Sequence, residues 1–156
     1  VFLACIPLHP ALTLGNSSFN GLDLLAGLVT LSGIFLELIA DNQRYAFAQN
    51  PANRGKTITS GLWGYSRHPN YLGEILFWIG LCLFGLASGA MPWWMTLGAI
   101  AMWAMFQFIT LPMMEKRNLK RRSDYAQVQQ SIPRLFPLPF RRKINTPAME
   151  EQPSKR

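Results

Sequence analysis

The chain has 156 residues, 49% of them hydrophobic and 12% aromatic, with a net charge of +7. A basic nucleic-acid-binding protein would interleave such charge with a soluble core. Here residues 1–43 and 68–115 hold no Lys or Arg; the cations are Arg44, Arg54, Lys56, Arg67 and those from Lys116 onward, a segregation that marks a membrane protein and excludes nucleic acid as the partner.

By length the chain is about one domain. It opens on Val1-Phe2-Leu3-Ala4, and residues 1–14 read as the truncated end of an apolar helix broken by Pro7 and Pro10, with further helices expected before it and no basic leader. Gly15–Asn20 is a turn. Leu22–Ala40 is long enough to cross a bilayer and continues as a polar helical extension, Asp41–Gln49, up to Pro51. Residues 50–67 form a basic loop. Leu72–Leu86 is a second, shorter span, 87–92 a turn, and Met91–Met114 a third span without charge, opened by Trp93 and Trp94 as interfacial residues. Glu115–Gln130 has helical, basic character, 132–140 is Pro-rich, extended and packed, and 141–156 reads as a disordered basic tail.

The expected fold class is therefore all-α: a polytopic membrane helix bundle with three full spans, a truncated N-terminal helix and a cytoplasmic tail. Residues 1–140 form the domain. Both basic segments are expected in the cytoplasm, with the 87–92 turn on the other side. Cys5 and Cys82 read as small buried hydrophobes, without metal-ligand or disulfide spacing.

The stretch from Gly61 to Glu74, GLWGYSRHPNYLGE, carries most of the chemistry. Pro69 suits the first turn of a helix, which puts His68 at the N-cap, either as a mere cap or as a functional group. Free backbone N–H groups follow, with Arg67 beside them. Glu74 lies three residues past Tyr71 on the same face, inside an apolar run and with no cation at i±3 or i±4, so its carboxylate has a weak structural reason to be there.

Other candidates lie at the membrane ends. Glu37, Asp41 and Arg44 share one helix face, either as a solvated helix end with an internal ion pair or with Asp41 accepting from a ribose and Arg44 meeting a phosphate. Lys56 belongs with Lys116, Arg117 and Lys120–Arg122 to a basic cluster that either signals topology and attracts anionic lipid or binds phosphate, and Lys120–Arg122 read as the former. Lys116 and Arg117, at the end of the third span, are better phosphate ligands. Glu115 reads as a partner for a nearby cation, and Tyr125 and Arg134 as residues that either fold back over a ligand or anchor the tail. GxGxxG, P-loop and HExxH motifs are all missing.

The Gly61–Glu74 stretch resembles the signature of the steroid 5-alpha-reductase C-terminal domain family, in particular its bacterial membrane relatives of unassigned substrate. Ala40-Asp41, the run Asn50–Lys56, the run Leu111–Arg117, Ile132-Pro133 and Phe136-Pro137 match as well, so the resemblance covers roughly 22–140. The Arg-His-Pro-x-Tyr turn is shared with isoprenylcysteine carboxyl methyltransferases. The resemblance implies an NADPH-dependent membrane reductase of an activated carbon–carbon double bond in a lipid, with matching cofactor positions at Asp41, Arg67, His68, Asn70, Tyr71, Lys116, Arg117 and Tyr125. It implies that Glu74 polarises the substrate carbonyl or contacts the nicotinamide. Tyr71 is the second candidate catalytic residue. The alternative is an S-adenosylmethionine-dependent methyltransferase. Such enzymes usually carry paired acids after the last span, where this chain has Glu115 followed by Lys116-Arg117. The partners expected are the bilayer and an apolar small molecule, with lipid metabolism as the setting.

Overall fold

The computed structural model describes residues 5, 8–13, 18–89 and 92–136. The remaining N-terminal positions and the expected tail at 137–156 lie outside them. A short helix α1 (Leu8–Thr13) precedes α2 (Gly21–Gln49) and α3 (Pro69–Ala87). A one-turn 3-10 helix at Trp93–Thr96 leads into α4 (Leu97–Met105), a π turn (Phe106–Thr110) and α5 (Leu111–Arg121), and α6 (Tyr125–Ser131) follows a short break. The described residues contain no strand. Gly21–Gln49, Pro69–Ala87 and the continuous stretch Trp93–Arg121 are long and apolar enough to cross a membrane.

Each boundary has a local cause. Asn20 Oδ1 accepts from Leu22 N at 2.8 Å while Asp23 Oδ2 accepts from Asn20 N at 2.9 Å, a capping box that starts α2. Pro69 opens α3 directly after His68 at the N-cap. The third span was expected over Met91–Met114 with helical character over Glu115–Gln130; the helix runs on from Trp93 to Arg121 and breaks before α6. Pro112 has no N–H to give the regular ladder; the helix widens into the π turn just before it, with Leu111 N–H reaching back to Phe106 O.

Helices α2 and α3 are antiparallel and closely apposed through small residues. A Cβ added to Gly33 would lie 2.6 Å from Gly73 O, and one added to Gly73 would lie 2.7 Å from Glu37 N. Glycine at both positions lets the two backbones touch, the usual device for helix pairing in lipid. Asn20 Nδ2 closes the far end on Ala87 O at 3.2 Å. The core joins Leu72, Ile75 and Trp78 of α3 to Met102, Phe106, Leu111 and Leu135. Leu24, Leu28, Leu31, Phe35 and Leu38 of α2, with Leu97, Ile100, Phe108 and Ile109 of the third helix, point outward, as lipid-facing residues do. The segment after α6 packs as expected as far as it is described, with Ile132 and Leu135 buried.

Candidate functional site

At the basic end of the bundle the Gly61–His68 loop is fixed by backbone and side-chain bonds to two other segments. Gln43 Oε1 accepts from Leu62 N at 2.9 Å, and the Trp63 indole donates to Ala40 O at 2.9 Å. Arg67 N donates to Pro133 O at 2.9 Å, and Ser66 Oγ donates to Arg134 O at 3.2 Å. The loop is thus held between α2 and the segment after α6, which turns Arg67 and His68 inward.

They meet Glu115, which is 3% exposed. Its Oε1 lies 3.1 Å from Arg67 Nη2 and 3.3 Å from His68 Nε2, and its Oε2 lies 3.2 Å from Arg134 Nη2 and accepts from Gln129 Nε2 at 3.2 Å. His68 therefore does not act as a side-chain cap of α3; facing a carboxylate oxygen, Nε2 is the protonated nitrogen. Glu115 does pair with cations, but with distant ones, not its neighbours in sequence. Four donors on one carboxylate offset the cost of burying it. Burial lowers the Arg67 guanidinium below its usual range more strongly than Glu115 raises it.

Beside this hub lies a polar cavity of about 280 Å³, between the end of α2, the loop, α5 and α6. Arg44, Trp63, Arg67, His68, Asn70, Tyr71, Arg117, Asn118, Arg121, Arg122 and Tyr125 are in its wall. Three buried wall atoms have no hydrogen-bond partner: Arg67 Nε, Asn70 Oδ1 and Tyr125 Oη. Buried polar groups left unpaired are costly, so a wall with three of them fits a polar ligand. Arg44 lies over the Trp63 ring, 6.0 Å from its centroid.

A second, apolar groove of about 210 Å³ runs between α3 and α4, lined by Ile75, Trp78, Met102, Trp103 and Phe106 among others. Tyr71 stands between the two spaces. Its ring packs edge-on against His68 (centroids 5.8 Å apart) on the polar side and against Phe106 (5.4 Å) on the apolar side.

Of the expected site residues, the cavity brings together Arg44, Arg67, His68, Asn70, Tyr71, Arg117 and Tyr125. Asp41 and Lys116 are exposed and not in its wall. The ion pair of Arg44 with Glu37 or Asp41, one of the two readings of that helix face, is not formed: among the described residues all ion pairs go to Glu115. Glu74 lines neither space. It is half-buried on α3, close enough to Glu37 for the two carboxyl groups to repel, with the Trp78 indole nearby but short of full hydrogen-bond geometry. Arg121 and Arg122, read from sequence as lipid contacts, are in the cavity wall. The spacing 114, 117, 118, 121 marks one face of α5 and was the available signal for Arg121; Arg122 lies in the extended break after α5, which helical spacing does not reach.

Residues 1–132 match a family described as protein of unknown function, DUF1295. Among curated proteins the chain is 29% identical to an uncharacterized protein of Schizosaccharomyces pombe over 157 residues, covering 88% of this chain and 45% of that protein. It is 35% identical to a probable O-methyltransferase of Ustilaginoidea virens over 89 residues (57% of this chain, 30% of that protein). It is 27% identical to the Delta(14)-sterol reductase of Arabidopsis thaliana over 121 residues (70% and 31%). The chain spans less than half the length of each of these relatives. No solved structure matches it.

Proposed function

The chain belongs to the DUF1295 family of proteins of unknown function, and from its cavity we propose that it is a membrane-embedded reductase, one that uses NADPH to reduce an activated carbon–carbon double bond in a steroid-like or other lipid substrate. The charge of the cavity wall carries this reading. Arg44, Arg117, Arg121 and Arg122 line it, no Asp or Glu does, and among the described residues none of the four is in an ion pair. Phosphates are the natural partners of such a wall. S-adenosylmethionine is a sulfonium with net positive charge at neutral pH, which these guanidiniums would repel.

The residues then divide by role. Arg44, Arg117 and Arg121 hold phosphates. Arg67 Nε, Asn70 Oδ1 and Tyr125 Oη offer a donor, an acceptor and a hydroxyl to the sugar and amide groups of the ligand. Glu115, His68 and Arg134 keep that wall in place. When bound, the cofactor supplies a hydride. For a double bond conjugated to a carbonyl, the hydride goes to the β-carbon while the carbonyl oxygen takes a hydrogen bond and the α-carbon takes a proton; Tyr71, at the junction of the polar and apolar spaces, and Glu74, one turn further along α3 and outside both spaces, are the candidate proton bearers. The apolar groove suits the body of a lipid. The same reading places both basic segments in the cytoplasm and makes 1–140 one membrane domain.

A second reading, methyl transfer from S-adenosylmethionine, draws on the relative named a probable O-methyltransferase. Cofactor titration of the purified full-length protein in nanodiscs separates the two. NADPH binding without S-adenosylmethionine binding is expected; the reverse ends the reductase proposal.

A further inference from the structure

The loop after α2 is built more firmly than a topology signal requires. Asn50 Oδ1 accepts from Ala52 N at 3.0 Å, and Asn53 Nδ2 donates to Phe47 O at 2.9 Å, which tie the 3-10 turn Pro51–Asn53 to the end of α2. Gly55 takes the left-handed backbone (φ +78) that side chains rarely adopt, and turns the chain between Arg54 and Lys56. Thr57 then locks the other end. Its N–H and its hydroxyl donate to the two carboxylate oxygens of Asp124, each at 2.7 Å.

This loop shapes a second polar lobe, open to solvent and about 440 Å³ in volume. Arg54, Lys56 and Arg122 line it without an acid, and it shares Phe47, Ala48 and Arg122 with the cavity described above. The nearby acid, Asp124, is committed to Thr57 through both oxygens, and Glu115 is committed to Arg67, His68 and Arg134. Among the described residues Arg54, Lys56 and Arg122 are in no ion pair. Three unpaired cations therefore stand in a preformed lobe that continues the ligand cavity.

We propose that Arg54, Lys56 and Arg122 form a second phosphate subsite, which takes a phosphomonoester at the far end of the same ligand whose other phosphates lie against Arg44, Arg117 and Arg121. The proposal rests on the NADPH reading and adds what that reading leaves open. This subsite is where the protein distinguishes NADPH, with its ribose phosphate, from NADH. A phospholipid headgroup presents the same chemistry to a basic loop. The shared wall and the shared Arg122 favour the cofactor, because a lipid phosphate would have no reason to continue the cavity.

The test uses full-length protein in phosphatidylcholine nanodiscs, wild type and the double variant Arg54→Ala/Lys56→Ala. Dissociation constants are measured for NADPH, NADH, 2′,5′-ADP and 5′-AMP. Both side chains are exposed, so folding should be retained. The double variant should lose about tenfold or more in affinity for NADPH and 2′,5′-ADP, as charged hydrogen bonds imply, while NADH and 5′-AMP change less than about twofold on the same basis. Thr57→Val, which loosens the loop and keeps its charges, should lower the NADPH preference in the same direction.

Equal losses for NADPH and NADH, or an unchanged preference, would overturn the subsite while leaving the NADPH reading intact. Wild-type protein that binds no nicotinamide nucleotide would overturn both. Native mass spectrometry of protein purified from phosphatidylglycerol-containing membranes covers the lipid source. Loss of bound phosphatidylglycerol in the double variant, with NADPH preference unchanged, would assign the lobe to a headgroup and also overturn the proposal.

Discussion

Arg67 Nη2 lies 3.1 Å from Glu115 Oε1, with the side chains 8% and 4% exposed. The contact joins the loop before α3 to the third long helix and sets the wall of the cavity. Arg67 is thereby a frame residue first, with only Nε left toward a ligand. Replacing Glu115 by Gln leaves Arg67 buried without a countercharge, a change that costs about 3–5 kcal/mol when a buried pair is broken. Melting in detergent should fall sharply. The Arg134 side chain is 35% exposed, so Arg134→Ala should cost clearly less than Arg67→Ala. Equal melting of all three variants and the wild type would mean that the hub does not hold the fold.

Ligand affinity should depend on the cations in the wall and not on their neighbours in sequence. Arg121→Ala and Arg117→Ala should each weaken NADPH binding by about 1.5–3 kcal/mol, the range for hydrogen bonds to charged groups, with melting unchanged. Lys116 and Lys120 are exposed and outside the wall, and their Ala variants should change affinity by less than about threefold if screened charge is all they contribute. Similar losses at all four positions would indicate diffuse attraction and no defined site.

Tyr125 gives a signature of opposite signs. Its hydroxyl is buried without a hydrogen-bond partner, so Tyr125→Phe should leave melting unchanged or raise it, while NADPH binding weakens several-fold. Burial pushes the Tyr125 phenol above its ordinary value near 10, despite Asn118 nearby. The folded chain then keeps a proton that the unfolded chain loses. Its contribution to stability is complete below about pH 10 and declines as pH rises through the folded-state value. Melting measured from pH 9 to 11 should fall less steeply for the Phe variant than for the wild type.

Glu74 is the proposed proton-bearing acid on α3, apart from the binding wall. Glu74→Gln should lower turnover by about 10²-fold or more, as loss of a general acid does, with NADPH affinity within a few-fold. A Gln variant with normal turnover, combined with poor detergent stability of Glu74→Leu, would make the residue structural.

Properties written along one dimension of the chain were legible in its sequence. The three spans follow from runs of apolar residues, the start of α3 from Pro69, and the membrane assignment from the segregation of Lys and Arg. These depend on local backbone chemistry and on the solvent, so no fold is needed to read them. Seven of the candidate residues meet in one cavity because the helix ends and loop that carry them all lie at the basic end of the bundle. The pairing inside that end was decided only in three dimensions. Glu115 binds Arg67, His68, Gln129 and Arg134, all far from it in sequence, and which of them it meets depends on how α3 and the third helix are rotated. The close approach of Gly33 and Gly73 sets the α2–α3 spacing at the same end. The π turn before Pro112 helps set the facing of α5, which turns Arg117 and Arg121 inward and leaves Lys116 outside. Helical periodicity names the candidates for a face; packing chooses the face that is used.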